Sequence, residues 1–108
     1  MGQNIQLQPK YKMYVKTHIS KDSVVTAICD ETLIGKTFSD SERQLEVNEK
    51  FYKGEKKSEE EVEEIMKEAA NLNLVGENTI NTALKLEILT KDDIILIEKI
   101  PHAQIFEI

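Results

Sequence analysis

Three short segments of this chain set polar, potentially reactive side chains against apolar runs, each beside a residue that constrains the backbone. They are Pro101-His102-Ala103-Gln104, the stretch from Cys29-Asp30 through Gly35-Lys36 to Phe38, and Asn73-Leu74-Val75-Gly76-Glu77. Pro101 fixes its own φ and has no amide donor, so the chain is expected to leave a strand there. Ala103 separates His102 from Gln104, which puts both side chains on one side of an extended backbone. An imidazole beside an amide could carry a proton or orient a polar ligand. Cys29 is a nucleophile only if a cation or a helix N-terminus lowers its pKa, and adjacent Asp30 opposes that. A hydrolase or transferase built here would use Cys29 or His102 with Asp30, Lys36 and Gln104 within hydrogen-bond reach.

Each residue also has an ordinary structural reading: a thiol filling the core, a hydrogen-bonded structural histidine, and Gly76 punctuating the junction of two helices. Metal chemistry has little to work with, because one Cys and two distant His give no spaced ligand pair. Glu59 to Glu64 spiral around their helix, so their carboxylates do not converge. The four glycines form no phosphate-cradling loop. No metal or other cofactor is expected.

At 108 residues the chain fits one domain with an aliphatic core, since it holds no Trp, three Phe and three Tyr. Its net charge of −6 argues against a general polyanion binder. The charge is uneven: Glu55 to Glu68 holds seven Glu against three Lys, whereas Lys10 to Lys21 holds four Lys and no acid. A single Cys excludes an intrachain disulfide and suits a reducing cytoplasm. No apolar run approaches the roughly 20 residues a membrane span needs, and no signal peptide is recognisable. The preference for Lys and Glu, with one Arg, is compatible with a thermophile.

The elements that must position these residues follow from periodicity. Residues 1–10 read as a disordered leader and 11–108 as a single α+β domain. From Lys12 the pattern alternates: Met13, Val15, Thr17 and Ile19 face one side, and Lys12, Tyr14, Lys16 and His18 the other. Ser20 to Ser23 is a hairpin turn leading to a strand over Val24 to Cys29. Asp30 to Gly35 is one turn, capped by Asp30 on the amides that follow it and ended by Gly35. Ser39 to Ser41 is loop, Leu45 and Val47 mark a third strand, and Phe51 to Gly54 a turn. Ser58-Glu59-Glu60-Glu61 is a capping box opening a helix whose stripe is Val62, Ile65, Met66, Ala69 and Leu72. A second helix is expected over Glu77 to Leu86, with Ile80, Ala83 and Leu84 inward. Thr90 to Asp93 is a turn, Ile94 to Ile100 an interior strand interrupted by Pro101, and Ile105 to Ile108 an edge strand. Strands, a helical pair and strands again predict a two-layer α+β domain, a mostly antiparallel sheet with two helices packed on one face.

Tyr14-Val15-Lys16, the Cys29 to Phe38 segment, Phe51-Tyr52-Lys53-Gly54-Glu55, Asn73 to Glu77 and Pro101 to Gln104 occur in an order and spacing that resemble an archaeal family of unknown function, numbered 424. The resemblance spans roughly Lys12 to Gln104. It implies a small, stand-alone archaeal protein with a compact α+β fold, and it implies no particular activity.

The expected function is a non-enzymatic binding or adaptor domain in the cytoplasm, with a protein or ribonucleoprotein partner and a link to RNA or the translation apparatus; the alternative is the small enzyme described above. The RNA reading rests on the strip Lys12, Tyr14, Lys16 and His18, cations with an aromatic on one strand face, as in single-strand RNA platforms. Asp30, Lys36, Glu77, His102 and Gln104 complete the candidate surface. The Cys29–Phe38 and Pro101–Gln104 segments are expected side by side, because their feeding strands would be parallel neighbours ending at one sheet edge.

Overall fold

The computed structural model describes residues 12–107, so the expected leader lies outside the described residues. Strand β1 (Lys12–Ile19) turns back through Ser20–Ser23 into β2 (Val24–Asp30), and the Ser20 amide donates to the Ser23 carbonyl at 2.9 Å. A 3-10 turn (Glu31–Leu33) leads to a small hairpin of β3 (Thr37–Ser39) and β4 (Gln44–Glu46). A one-turn helix α1 (Glu49–Tyr52), strand β5 (Glu55–Ser58), helix α2 (Glu59–Glu68), strand β6 (Leu72–Val75) and helix α3 (Glu77–Lys85) follow. The chain closes with a 3-10 turn (Lys91–Asp93), β7 (Ile95–Ile97) and β8 (Ile100–Ile105).

The main sheet has six strands in the order β5-β1-β2-β6-β8-β7. Every pairing is antiparallel except β2 with β6. The protein is thus α+β with a mostly antiparallel sheet. Alternation in β1 sends Met13 and Val15 to one face, where they join Ile28, Leu72, Leu74 and Ala103 beneath Val62 and Met66 of α2 and Ile80 and Ala83 of α3. Helices α2 and α3 therefore cover that face together. The opposite face is covered as well: Ala27, Cys29, Val75 and Ile97 pack with Leu45 of β4, Tyr52 of α1 and Val47, which lies in the link between them rather than in the strand expected there.

Several elements differ from the periodicity reading. Residues 72–75 form the central strand β6 rather than a helix junction, and Leu72 belongs to that strand, not to the stripe of α2. A run of four residues carries no period that separates strand from helix. Phe51 and Tyr52 end a helical turn capped by the Asn48 side chain, where a plain turn was expected. Strand β5, Glu55-Lys56-Lys57-Ser58, has no apolar signal and forms by edge pairing with Lys12–Val15. Gly54 enters it where a Cβ would run into the Val15 carbonyl. Ser39 closes β3 instead of opening a loop.

The run from Ile94 to Ile100 is not one interior strand. Glu98 and Lys99 adopt positive φ, 51° and 69°, and make a two-residue turn between edge strand β7 and β8. That conformation matches the twist of antiparallel strands. Pro101 lies inside β8 opposite Leu96, and Ile105 ends the strand, with no further one over Phe106 and Glu107.

The capping box at α2 is formed as the sequence indicates. Ser58 Oγ accepts from the Glu61 amide at 3.3 Å, and Glu61 Oε1 accepts from the Ser58 amide at 2.9 Å. Ser58→Ala should lower unfolding stability by about 1 kcal/mol, read by urea denaturation, because it removes the acceptor for a helix-end amide.

Candidate functional site

The three segments singled out in the sequence meet around Gly76, at the end of the parallel pair β2–β6. Asp30, the last residue of β2, is 6% exposed. Its carboxylate does not cap the 3-10 turn that follows it, as the sequence suggested. It reaches instead under α3, accepting from the Asn78 amide at 3.0 Å, the Thr79 amide at 2.8 Å and Thr79 Oγ1 at 2.7 Å. These are unpaired amides at a helix N-terminus, where backbone dipoles favour negative charge.

Gly76 makes that approach possible. It is the N-cap of α3 rather than a terminator of α2, with φ +111°, and a Cβ there would lie 2.6 and 2.8 Å from the two Asp30 oxygens. Its amide donates to the Pro101 carbonyl at 2.9 Å, which ties in β8. Thr79 is the participant that the sequence reading missed. Its only sequence signal is a polar residue three places after Gly76, on the side of α3 that also carries buried Thr82 and Ala83.

Cys29 is fully buried between Tyr14 of β1 and Val75 of β6. Burial, followed by the charge of Asp30, pushes its thiol up to about 12, against a smaller opposing effect of the Tyr14 backbone hydrogen bond. A protonated, enclosed thiol is not a nucleophile at neutral pH. Tyr52 packs on the same face, its phenol also held protonated by burial and then by Cys29. Its hydroxyl donates to Asn73 Oδ1 at 2.6 Å.

His102 lies in β8, paired with Val75 and Ile95 and 8% exposed, so Pro101 does not bend it out of the sheet. Its Nδ1 is 2.8 Å from the Leu74 carbonyl, which can only accept, so Nδ1 carries the proton. Nε2 faces the Gln104 amide nitrogen at 3.5 Å. The same-side placement of His102 and Gln104 follows from their spacing, as expected. Burial lowers the His102 pKa, partly offset by the Leu74 hydrogen bond. The two residues line a shallow hollow of about 200 Å³ with Asp93 and Ile95.

The expected parallel pairing of the two feeding strands does not occur. Strand β6 lies between β2 and β8, and β8 runs antiparallel to it. The link between the two segments runs through Gly76, which lies against Asp30 and donates its amide to the Pro101 carbonyl, and through residues just outside them: the Ser39 amide donates to Glu98 Oε1 at 2.8 Å, and Leu33, Ile34 and Phe38 pack in the cluster that holds Ile97 and Ile100. Lys36 itself is exposed, its backbone amide bonded to the Leu33 carbonyl. Glu77 is exposed at the start of α3 and, with Glu59, Asn78 and Lys85, lines a polar hollow of about 300 Å³. Lys85 is bound there to Glu59 and Glu63.

The strip on β1 is not an open platform. Lys16 Nζ donates to the Lys50 carbonyl at 2.7 Å, His18 Nε2 lies 2.7 Å from the Phe51 carbonyl, and the His18 and Phe51 rings stack at 4.4 Å. Lys56 sits 5.6 Å from the Tyr14 ring centroid, and Lys12 is exposed. Among the described residues no group of three or more His, Cys, Asp or Glu is placed to hold a metal ion.

These features define a small α+β domain whose paired β–α units, β5–α2 and β6–α3, bring two helix N-termini to one sheet edge. The chain belongs to the family described as "Protein of unknown function (DUF424)", which matches residues 17–108. It is similar to the crystal structure of an uncharacterized conserved protein from Methanopyrus kandleri, with a TM-score of 0.71 and 25% identity over 87% of this chain and 90% of that one. No functionally curated protein matches it.

Two outcomes follow from this geometry. Asp30→Ala should destabilise the fold by about 3 kcal/mol in denaturant unfolding, because it leaves buried donors unpaired; a loss below about 1 kcal/mol would contradict the capping role. His102 has a folded pKa below its unfolded one, so its contribution is complete above about pH 6.5 and is lost as pH falls through the folded value. Stability should therefore decline from pH 7 toward pH 5, and His102→Gln should flatten that slope.

Proposed function

We propose that this protein is a non-enzymatic binding domain of the cytoplasm, with a protein or ribonucleoprotein partner. The observation that carries the reading is the commitment of Asp30 to the first turn of α3, two hydrogen bonds to amides and one to a hydroxyl, beside a Cys29 that is fully buried. Thiol catalysis needs an accessible thiolate, and the Cys29 thiol is fully buried and held protonated. His102 donates its Nδ1 proton to Leu74 and is buried, which suits a structural histidine. A hydrolase or transferase using these groups with Lys36 and Gln104 is the less supported alternative.

The case for RNA stacking on β1 weakens, because Lys16 and His18 are tied to carbonyls of residues in α1. The excess of acid over base disfavours phosphate contacts generally. A protein contact is therefore favoured, within a ribonucleoprotein or alone. No helix of the described residues is long and apolar enough to cross a membrane.

Affinity capture with the full chain from an archaeal extract, with and without ribonuclease, followed by mass spectrometry, tests this. A reproducible set of ribosomal or translation-factor partners that survives ribonuclease is expected. Capture of a metabolite-processing complex alone would overturn the reading.

A further inference from the structure

The face beneath the helices continues past the end of their cover. Ile19 and Val24 are cross-strand partners at the tip of the β1–β2 hairpin, and they remain 79% and 44% exposed. By strand alternation they belong to the side on which Met13, Val15 and Ile28 are buried. Helix α2 stops at Glu68, and a groove of about 580 Å³ opens between its last turn and the hairpin. Val24, Thr26, Ile65 and Ala69 form its floor, and Glu64 and Glu68 stand at its rim. No cation is among the lining residues. Lys67 lies 3.3 Å from Glu64 in an exposed pair, whereas Glu68 has no ion-pair partner among the described residues.

We propose that this groove docks a basic amphipathic helix of a partner protein, with apolar residues on Ile19, Val24, Ile65 and Ala69 and lysines or arginines against Glu64 and Glu68. The proposal rests on the binding-domain reading and gives that reading a surface and a partner chemistry. A helix laid in a groove buries apolar anchors at three- and four-residue spacing and turns its charged flanks to the rim. Complementary rim charge selects the partner and speeds the encounter. The same rim disfavours the other occupants. Phosphate backbones and anionic lipid surfaces would meet two carboxylates. A second copy would bring its own acidic rim and a net charge of −6.

The test uses the full chain, isotope-labelled, with two synthetic helical peptides of identical leucine pattern, one carrying lysines and the other glutamates. The lysine peptide should bind and shift the amide resonances of Ile19, Val24, Ile65 and Ala69. Glu64 and Glu68 are exposed, so the double variant Glu64→Lys, Glu68→Lys should fold normally. It should lose at least about tenfold in affinity for the lysine peptide and gain affinity for the glutamate one, since each tenfold is about 1.4 kcal/mol of lost complementarity. Equal binding of both peptides, no effect of charge reversal, or strand addition along Thr17–Ile19 without shifts at Ala69 would overturn the groove assignment. Shifts confined to another face would also overturn it while leaving the binding-domain reading in place.

Discussion

The carboxylate of Asp30 beneath the first turn of α3 is the contact on which the centre of the sheet depends. Two amides and a hydroxyl converge on it at 2.7–3.0 Å in a site nearly closed to solvent. Such donors are costly to bury unpaired and gain most from a charged acceptor. The contact joins residues some fifty positions apart in sequence and fixes β6 alongside β2 in the one parallel pairing of the sheet. Gly76 is required because the carboxylate occupies the place of its side chain, and its amide then recruits Pro101. One ion thereby sets β2, β6, α3 and β8 relative to one another.

That arrangement accounts for the polar residues that looked chemical. Asp30 is a tertiary helix cap, Gly76 the backbone that admits it, and Pro101 the acceptor beyond the end of β6. Cys29 fills the adjoining position on the opposite face, and the charge of Asp30 adds to burial in keeping its thiol protonated. His102 bridges to Leu74 across the same strands. The polar residues at this end of the sheet are tied into its framework, whereas Ile19 and Val24 stay exposed at the other end, on the β1–β2 hairpin, and Leu96 and Phe106 are exposed outside it.

Covering both faces of the sheet explains the small, aliphatic core. Helices α2 and α3 bury Met13, Val15, Ile28 and Leu74, while α1 and the β3–β4 hairpin bury Ala27, Cys29 and Val75. The central strands are therefore enclosed on both sides and lose their alternation, as strands with two buried faces do. Tyr52 closes this second cluster with its hydroxyl on Asn73 of the central strand β6.

The sequence by itself determined the elements with local causes. These were the alternating β1 with its hairpin turn, the Ser58 capping box, the stripes of α2 and α3, and the same-side spacing of His102 and Gln104. Their warrants lie within a few residues, in period, cap and turn chemistry. Tertiary structure alone decided the rest. Strand β5 has no apolar pattern and exists only through pairing with β1, and β6, four residues with one Asn among them, is too short to declare its type. The turn at Glu98-Lys99 uses residues with no special preference for positive φ, and the hairpin it closes is held by pairing. The partner of Asp30 was illegible for the same reason: a carboxylate at the end of a strand can cap the turn beside it or a helix some fifty residues away. Local sequence favours the first, and the enclosed donors of α3 favour the second because they have no water to replace it.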